Sequence, residues 1–583
     1  MGVSQDLSPI VTEILRSALV AITDEMKTNL MRTAHNMIIY EALDFTVGLF
    51  DEGGNTVSIG LGLPMFIRGL SDTIKAMLAH YGRDGIEPGD LLLTNDAYIH
   101  GSHLNHMVFA LPVFWEGELV GFAASMAHWQ DVGGTLSGVT TDIYSEGLQL
   151  PIVKIHKAGR EDRELIAIIC HNVRFPDAAL GDLRAQVAAV KTGERRWHQL
   201  LARYGLTTVR GGIRAIMAHS ERLARATVAA MPDGTYEASA FMDDDGVTAG
   251  HHIPIRVRVV VAGDRLTVDL SDMSPQVAGY YNAGKTAGRS AAQVAFKCLT
   301  TPLDFPINDG AFRPLEVILP EGRVVSAVRP AAMRWWMTIP MTVVDTIFKA
   351  LAPAMAEATI AGHHADLLAT SIYGVDPRSG RFYVSAGSLP GGGWGARQDA
   401  DGMSATVCIN DGDTHNTPVE ATEVRFPVIV ERYALRPDSG GAGRHRGGLG
   451  TVQIRRMRAP ASLNSQVERT QCPPWGLFGG KDGLPNRLSR IDREGREHFF
   501  ANGKANSVPL EAGEAYAIYA GGGGGFGDPQ ERPVEAVLHD VVEGYVSPEA
   551  ARREYGVAVR PSEEGWAVDW EETARLRAPA PQR

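Results

Sequence analysis

Apolar positions near the start of the chain recur at helical spacing. Ile14, Ala18, Leu19, Ile22, Met26 and Leu30 fall on one stripe behind Ser8-Pro9, where Ser suits the cap and Pro the first helical position. A strand-like run over 44–50 follows and ends in the turn Asp51-Glu52-Gly53-Gly54. Residues 72–81 read as a short amphipathic helix. Residues 90–133 alternate the apolar runs LLLTND, MVFALPVFW and LVGFAASMAHW with polar turns, the pattern of buried strands. Helical spacing returns over 177–204 and 210–231, and the turn Met231-Pro232-Asp233-Gly234 marks a boundary. Beyond it 235–272 is strand-rich, 288–300 and 340–356 are helical, and from about 405 short strands are broken by glycine clusters. A helical part over 533–554 leads to a Pro- and Glu-rich tail expected to fray. The pattern predicts a mixed α+β protein of several domains: an N-terminal α/β domain (1–232), a middle α+β domain (233–404) and a glycine-rich β domain with a helical tail (405–583).

Composition narrows the class. The 44% hydrophobic and 21% charged content are those of a soluble globular protein, and a net charge of −12 disfavours nucleic acid or an anionic membrane as partner. The four cysteines form no CxxC pair and read as reduced thiols. The first residues lack signal-peptide order, Asp6 breaks the myristoylation pattern, and no apolar stretch nears the ~18 residues of a membrane span. A cytoplasmic location is expected.

Candidate chemistry concentrates in residues 96–134. His100, His103, His106 and His128 lie there with Asp96 and Asp131, His103 and His106 in a turn-like segment and His128 at the end of an apolar run. Any one histidine is ordinarily a surface or hydrogen-bonded core residue. Four of them with two aspartates in one window favour a transition-metal site, since neutral imidazole is the commonest ligand. Residues 279–286, GYYNAGKT, match the P-loop pattern to the letter. The preceding SDMSPQVA is polar and carries Pro275, so the apolar strand a P-loop needs is missing. The run Gly521–Gly525 reads as a tight turn.

Several blocks in one order resemble the hydantoinase B/5-oxoprolinase C-terminal family, which includes the large subunits of acetone and acetophenone carboxylases. They are YEALDFTVGLFD, LLTNDAYIHGSHLNHMVF, AHWQDVGG, YSEGLQLPIVKI, NVRFPDAALGDLRAQVAA, DLSDMSPQVAGYYNA, NTPVEATEVRFPV, DSGGAGRHRGGLG, ERTQCPPWGLFGGKDG and GGGGGFGDPQERPVEAVLHDVVEGYVSPEAA. The resemblance implies one half of an ATP-using enzyme. A hydantoinase A-type partner binds ATP with Mg²⁺ and phosphorylates the carbonyl oxygen of an amide, lactam or ketone; the B-type chain holds a divalent metal and completes the reaction.

The family's metal ligands map onto His103, His106 and His128, and its acidic groups onto Glu41 and Asp44. A histidine-rich site with one carboxylate suits Zn²⁺ or Mn²⁺. Asp44 is the carboxylate expected in the ligand set, and Glu41 a further ligand or general base. Asp131 either orients His128 or caps the following glycine turn. Two positions depart from the family: His106 where aspartate is common, and LGLPMFIRG where family hydrolases carry His-x-x-His. The expected activity is hydrolysis of a cyclic amide of hydantoin or 5-oxoproline type; the alternatives are a ketone carboxylase subunit and a noncatalytic scaffold, with a mononuclear iron oxygenase behind them. The expected assembly is a heterotetramer, roughly two copies of each subunit, or larger, with Trp394, Trp475 and Phe526 either on its contact surface or in local core under long loops.

Overall fold

The computed structural model describes residues 8–301, 306–386, 389–412, 414–563 and 565–578. Among these are thirteen α-helices and five sheets, a mixed α and β architecture. The site is built on the first sheet. Helix α1 (Pro9–Thr33) and the short α2 (Met37–Tyr40) lead into β1 (Phe45–Asp51) and β2 (Thr56–Leu61). Then come α3 (Gly69–Tyr81), β3 (Leu91–Thr94), α4 (Ala97–His100), β4 (His106–Trp115), β5 (Glu118–His128), β6 (Val153–Lys157) and β7 (Arg160–Glu161). The seven strands lie in the order β2-β1-β5-β4-β3-β6-β7, antiparallel throughout.

Period-two alternation divides this sheet between two cores. Phe45, Val47, Met107, Phe109, Leu111, Ala123 and Ala127 face one side, against α1 and two later helices, α6 (Pro176–Tyr204) and α7 (Leu206–Ala229), which follow α5 (Arg163–His171). Val108, Ala110, Phe122, Ala124 and Met126 face the other, against Met65, Phe66, Leu70, Ile74 and Met77 and the segment containing Trp336 and Met337. Burial on both faces explains why these strands read as continuous apolar runs and not as polar-apolar alternation.

A second, four-stranded sheet runs β11-β10-β9-β8, from β8 (Gly234–Met242), β9 (Ile253–Ala262), β10 (Arg265–Asp269) and β11 (Leu315–Ile318). Its core includes Val257, Val259 and Val268 of the sheet, Phe296 of α8 (Lys285–Thr300) and Val343, Val344 and Ile347 of α9 (Thr338–Leu351). Further along, sheets of four and five strands share a core containing Ile372, Leu463, Val428, Leu488, Tyr516 and Ile518, a sandwich. Beyond 554 the described residues continue in regular structure: strands Val559–Ser562 and Gly565–Val568 pair, and helix Trp570–Arg577 follows. Arg577 donates to the Tyr555 and Arg532 carbonyls, which ties down a segment whose composition suggested fraying.

Gly521–Gly525 is not a turn. It is threaded between other glycine segments, with Gly523 N donating to Gly448 O, Gly524 N to Gly362 O and Gly525 N to Lys481 O. In return Gly393 N donates to Gly521 O and Gly441 N to Gly523 O. A Cβ on Gly523 would stand 1.8 Å from Trp394 O, and one on Gly524 1.9 Å from Trp475 O. Close backbone approach, not positive φ, requires these glycines. Composition alone does not separate the two reasons.

The aromatics expected either on a contact surface or in local core are core residues. Trp475 belongs to the core around the second sheet, and Trp394 packs against it with its indole N–H on Val407 O. Phe526 is buried and packs against Phe478 with the rings tilted by 46°.

Candidate metal centre

Strand pairing brings the site together. A tight hairpin joins β4 to β5 through Glu116 (φ 49°) and Gly117 (φ 84°), both left-handed as a two-residue loop of this twist demands. The resulting register sets His106 opposite His128. On the other side β5 pairs with β1, Phe45 facing Ala127, and His128 N donates to Asp44 O at 3.0 Å. Asp44, His106 and His128 each follow or precede a residue of the α1-side core by one position, so all three project to the opposite face. His103 joins them from the turn before β4, where His106 N donates to His103 O.

The rings touch. Centroids are 4.7 Å apart for His103–His106, 4.8 Å for His103–His128 and 5.2 Å for His106–His128. Trp336 and Phe66 close the apolar side of the cluster. His106 is fixed at both nitrogens: Nε2 lies 2.9 Å from Asp44 Oδ1, and Nδ1 2.8 Å from Ser102 Oγ, which also reaches His100 Nδ1. His103 Nδ1 donates to Arg334 O at 3.1 Å, leaving Nε2 as the lone-pair nitrogen, as the second bond of a ligating imidazole does. That Nε2 and His128 Nδ1 are buried without a hydrogen-bond partner.

Burial sets the charge states. It holds His106 at about 3, lowers His128 to about 4 against the opposing pull of Asp44, and drives His103 well below the ordinary imidazole value. All three are neutral at pH 7 and offer lone pairs. Burial raises Asp44 to about 6, with His128 opposing, so this carboxylate is mostly ionised at pH 7. By donor geometry alone, no group of three or more His, Cys, Asp or Glu side chains among the described residues is set to hold a metal ion. The donors are adjacent but not convergent, because His106 Nε2 and Asp44 Oδ1 face each other. Coordination by all four requires the His106–Asp44 contact to open.

A cavity of about 260 Å³ opens beside the cluster, with His103, His128 and Asp44 in its wall. Met37, Ile38, Leu63, Trp335 and Leu367 supply an apolar lining. Polar groups come from far along the chain: Arg334, Asp411, Asn416 and Asn464. Asp411 is buried, accepts from Cys408 Sγ at 2.8 Å, and is pushed up to about 7 by burial.

The other two expected acidic residues lie elsewhere. Glu41 ends α2; its backbone carbonyl accepts from His415 N, and its side chain is not among those lining the cavity. Asp131 pairs with Arg174, 2.7 Å from Nη1, and accepts from Arg174 N and Gly133 N. It therefore caps the glycine turn. His128 is placed by its backbone bond to Asp44 and by strand register, which short-range reading of QDVGG does not reveal.

The P-loop-like segment holds no phosphate cradle. Tyr280 and Tyr281 are buried in the second core, and Asn282 Nδ2 donates to the carbonyls of Val277, Gly279 and Ala332. The first turn of α8 abuts Gly101, with Gly284 N on Gly101 O. Lys285 faces Glu321 at the surface. Lys285→Ala is expected to leave ATP turnover by an assembled complex within about twofold. A loss of ~100-fold, the scale of a deleted charge-stabilising contact, would contradict this.

Comparison with known proteins places these features in a lineage. A putative D-/L-hydantoinase B-type subunit from Pseudomonas sp. strain NS671 is 31% identical over 593 residues, covering 98% of both chains. The crystal structure of ATP-dependent caprolactamase from Pseudomonas jessenii matches with a TM-score of 0.91 at 31% identity, covering 98% of this chain and 100% of that one. A nucleotide-free acetone carboxylase structure shares the fold, with a TM-score of 0.88 at 21% identity over 98% of this chain and 82% of that one. The family model Hydantoinase B/oxoprolinase matches residues 8–529, and with that span and these relatives the chain belongs to the hydantoinase B/oxoprolinase family of enzymes.

Proposed function

We propose that this chain is the metal-holding subunit of an ATP-dependent cyclic-amide hydrolase, acting on a carbonyl that an A-type partner has phosphorylated. The single observation that carries the reading is the cluster of three neutral, buried imidazoles and Asp44, of which His103, His128 and Asp44 reach the wall of a largely apolar cavity. The donor set fits a divalent ion. His103 Nε2 and His128 Nδ1 are buried acceptors without donors, an arrangement that is costly unless something binds them. His106 Nε2 and Asp44 complete a three-nitrogen, one-oxygen set suited to Zn²⁺ or Mn²⁺. Such an ion supplies Lewis acidity toward a carbonyl or phosphoryl oxygen and eases deprotonation of water.

The chain's own residues do the rest. Trp335, Trp336, Leu63 and Met337 exclude bulk water from the cavity and seat the apolar ring of a lactam. Ser102 and His100 hold the His106 ring, and the Arg334 carbonyl holds His103. The filled loop at 279–284 supports the reading that phosphorylation belongs to the partner. The naming of the hydantoinase relative as one subunit of a larger enzyme supports the same division.

The ketone carboxylase reading draws on likeness of fold at 21% identity and differs in whether water or (bi)carbonate captures the activated carbon. Co-expression with an A-type subunit, size-exclusion chromatography and an ATP-dependent assay on lactams, hydantoins and ketones separates the two. Lactam opening without bicarbonate supports the hydrolase. Bicarbonate-dependent ketone turnover refutes it.

Metal affinity should depend on pH in a particular way. Asp44 must lose its proton to bind, so affinity is expected to weaken about tenfold per pH unit below ~6. The imidazoles, neutral down to about 4 for His128 and 3 for His106, add to the slope only in stronger acid. Equilibrium dialysis between pH 7.5 and 4.5 measures this, and an affinity flat down to pH 5 would exclude Asp44.

A further inference from the structure

The amide side chains Asn105, Asn464 and Asn416 of the cavity wall are committed to hydrogen bonds within the protein. Asn105 Nδ2 donates to Trp129 O. Asn464 donates to Leu136 O and accepts from Ser507 N, and Asn416 donates to the Tyr433 hydroxyl and accepts from Leu389 N. Arg334 differs. Its guanidinium donates from Nη1 to Thr135 O at 3.0 Å, and among the described residues no carboxylate stands in ion-pair contact with it. Neither nearby acid forms an ion pair with it, although Glu146 Oε2 is buried without a hydrogen-bond partner. Asp131 is paired with Arg174. Glu146 Oε1 accepts from Thr140 Oγ1 and from the backbone N–H groups of Met333 and Arg334, and burial raises this acid to about 7, which blunts its charge.

Position strengthens the case. Arg334 lines the 260 Å³ cavity and also a smaller one of about 90 Å³, and His103 lines both. The Arg334 carbonyl is hydrogen-bonded to His103, so the residue that carries the guanidinium is itself anchored to the cluster. A partly buried cation with spare N–H donors and no anion of its own is an oxyanion receptor, and the planar fork of arginine suits phosphate and carboxylate alike.

We infer that Arg334 binds an oxyanion of the substrate beside the histidine cluster: the phosphoryl group on the activated carbonyl, or a carboxylate that the cyclic amide carries. This rests on the proposed hydrolase reading for its substrate but not for its test. Inorganic phosphate and acetate are titrated calorimetrically into the full chain, as purified and after chelation, for the native protein, Arg334→Lys and Arg334→Met. Metal content and melting temperature are measured alongside.

One probe or both should bind the native chain. In Arg334→Met affinity should fall about 10- to 100-fold, the range of one charge-assisted contact. Arg334→Lys should retain part of it, with melting temperature unmoved and the loss persisting in chelated protein. Phosphate sensitivity marks the activated carbonyl as source, and acetate sensitivity a substrate carboxylate. Binding of neither probe to the native chain, or equal affinity in all three proteins, overturns the inference. If Arg334→Met does not fold, Arg334→Lys decides: an unchanged affinity for both probes overturns it. Because neither partner nor turnover is needed, a complex that fails to open lactams leaves this result standing, and the converse holds.

Discussion

His103→Ala should abolish metal retention and lower ATP-dependent turnover by the assembled complex at least ~1,000-fold. The magnitude follows from losing several kcal/mol of charge stabilisation, each ~1.4 kcal/mol of which is a factor of ten in rate. The fold should survive. His103 lies in the turn before β4, and its ring is held by a hydrogen bond to the Arg334 carbonyl. Elemental analysis, circular dichroism and a coupled assay on the same preparation check the three parts. A variant that keeps its metal, or loses it while retaining most activity, would remove His103 from the role given it. His106→Asp is a milder companion: it keeps a donor at the position and should preserve metal binding while shifting its pH dependence.

Gly523→Ala is the second large effect, and it concerns folding. The added Cβ would meet Trp394 O at 1.8 Å, and Gly395 N lies only 2.6 Å from the same point, so the neighbours that must move are backbone. Gly523 is also held on both sides, donating to Gly448 O and accepting from Gly441 N. Nothing flexible can yield, and the cost should exceed about 4 kcal/mol, the range reserved for severe core disruption. The expected outcome is insoluble protein or a melting temperature lowered by more than about 8 °C. Gly565→Ala, where nothing stands within 4 Å, is the comparison. There only the φ of 114° is at issue, and the effect should be far smaller. Equal stability of Gly523→Ala and the native chain would show that the threaded glycine chain is not packed as described.

These outcomes reflect what local sequence does and does not encode. Helix α1, the first-sheet strands and α6 and α7 follow from apolar periodicity because each buries a stripe or face continuous along the chain. The histidine cluster was legible for a related reason. The hairpin that aligns His106 with His128 is local, and Asp44 needs only the neighbouring strand β1. Of the two roles open to Asp131 the packing shows the turn cap, and the Glu41 side chain is not among those lining the cavity. Asp131 serves the Gly133 turn and Arg174, and Glu41 contributes its carbonyl. The rest of the cavity was out of reach. Arg334, Asp411 and Asn464 arrive from about 200 residues or more beyond His128, in segments without a recurring spacing, and only the packed structure sets them beside it. The sole forward signal for Arg334 was an arginine within an apolar, tryptophan-rich run, AAMRWWM, where an unpaired charge is unusual. The glycine clusters failed in the opposite sense, since a turn and a close backbone approach select the same residue.

The function proposed for this chain turns on whether the cluster of His103, His106, His128 and Asp44 binds a divalent ion on which lactam opening by the two-subunit complex depends. The most direct measurement is ATP-dependent lactam turnover by the co-purified complex before chelation, after it, and after adding back Zn²⁺ or Mn²⁺, with metal content determined at each stage. The predicted result is close to one ion per chain of this type, loss of turnover in step with its removal, and recovery on restoration. Full turnover by complex whose B-type chain has lost its metal would contradict it.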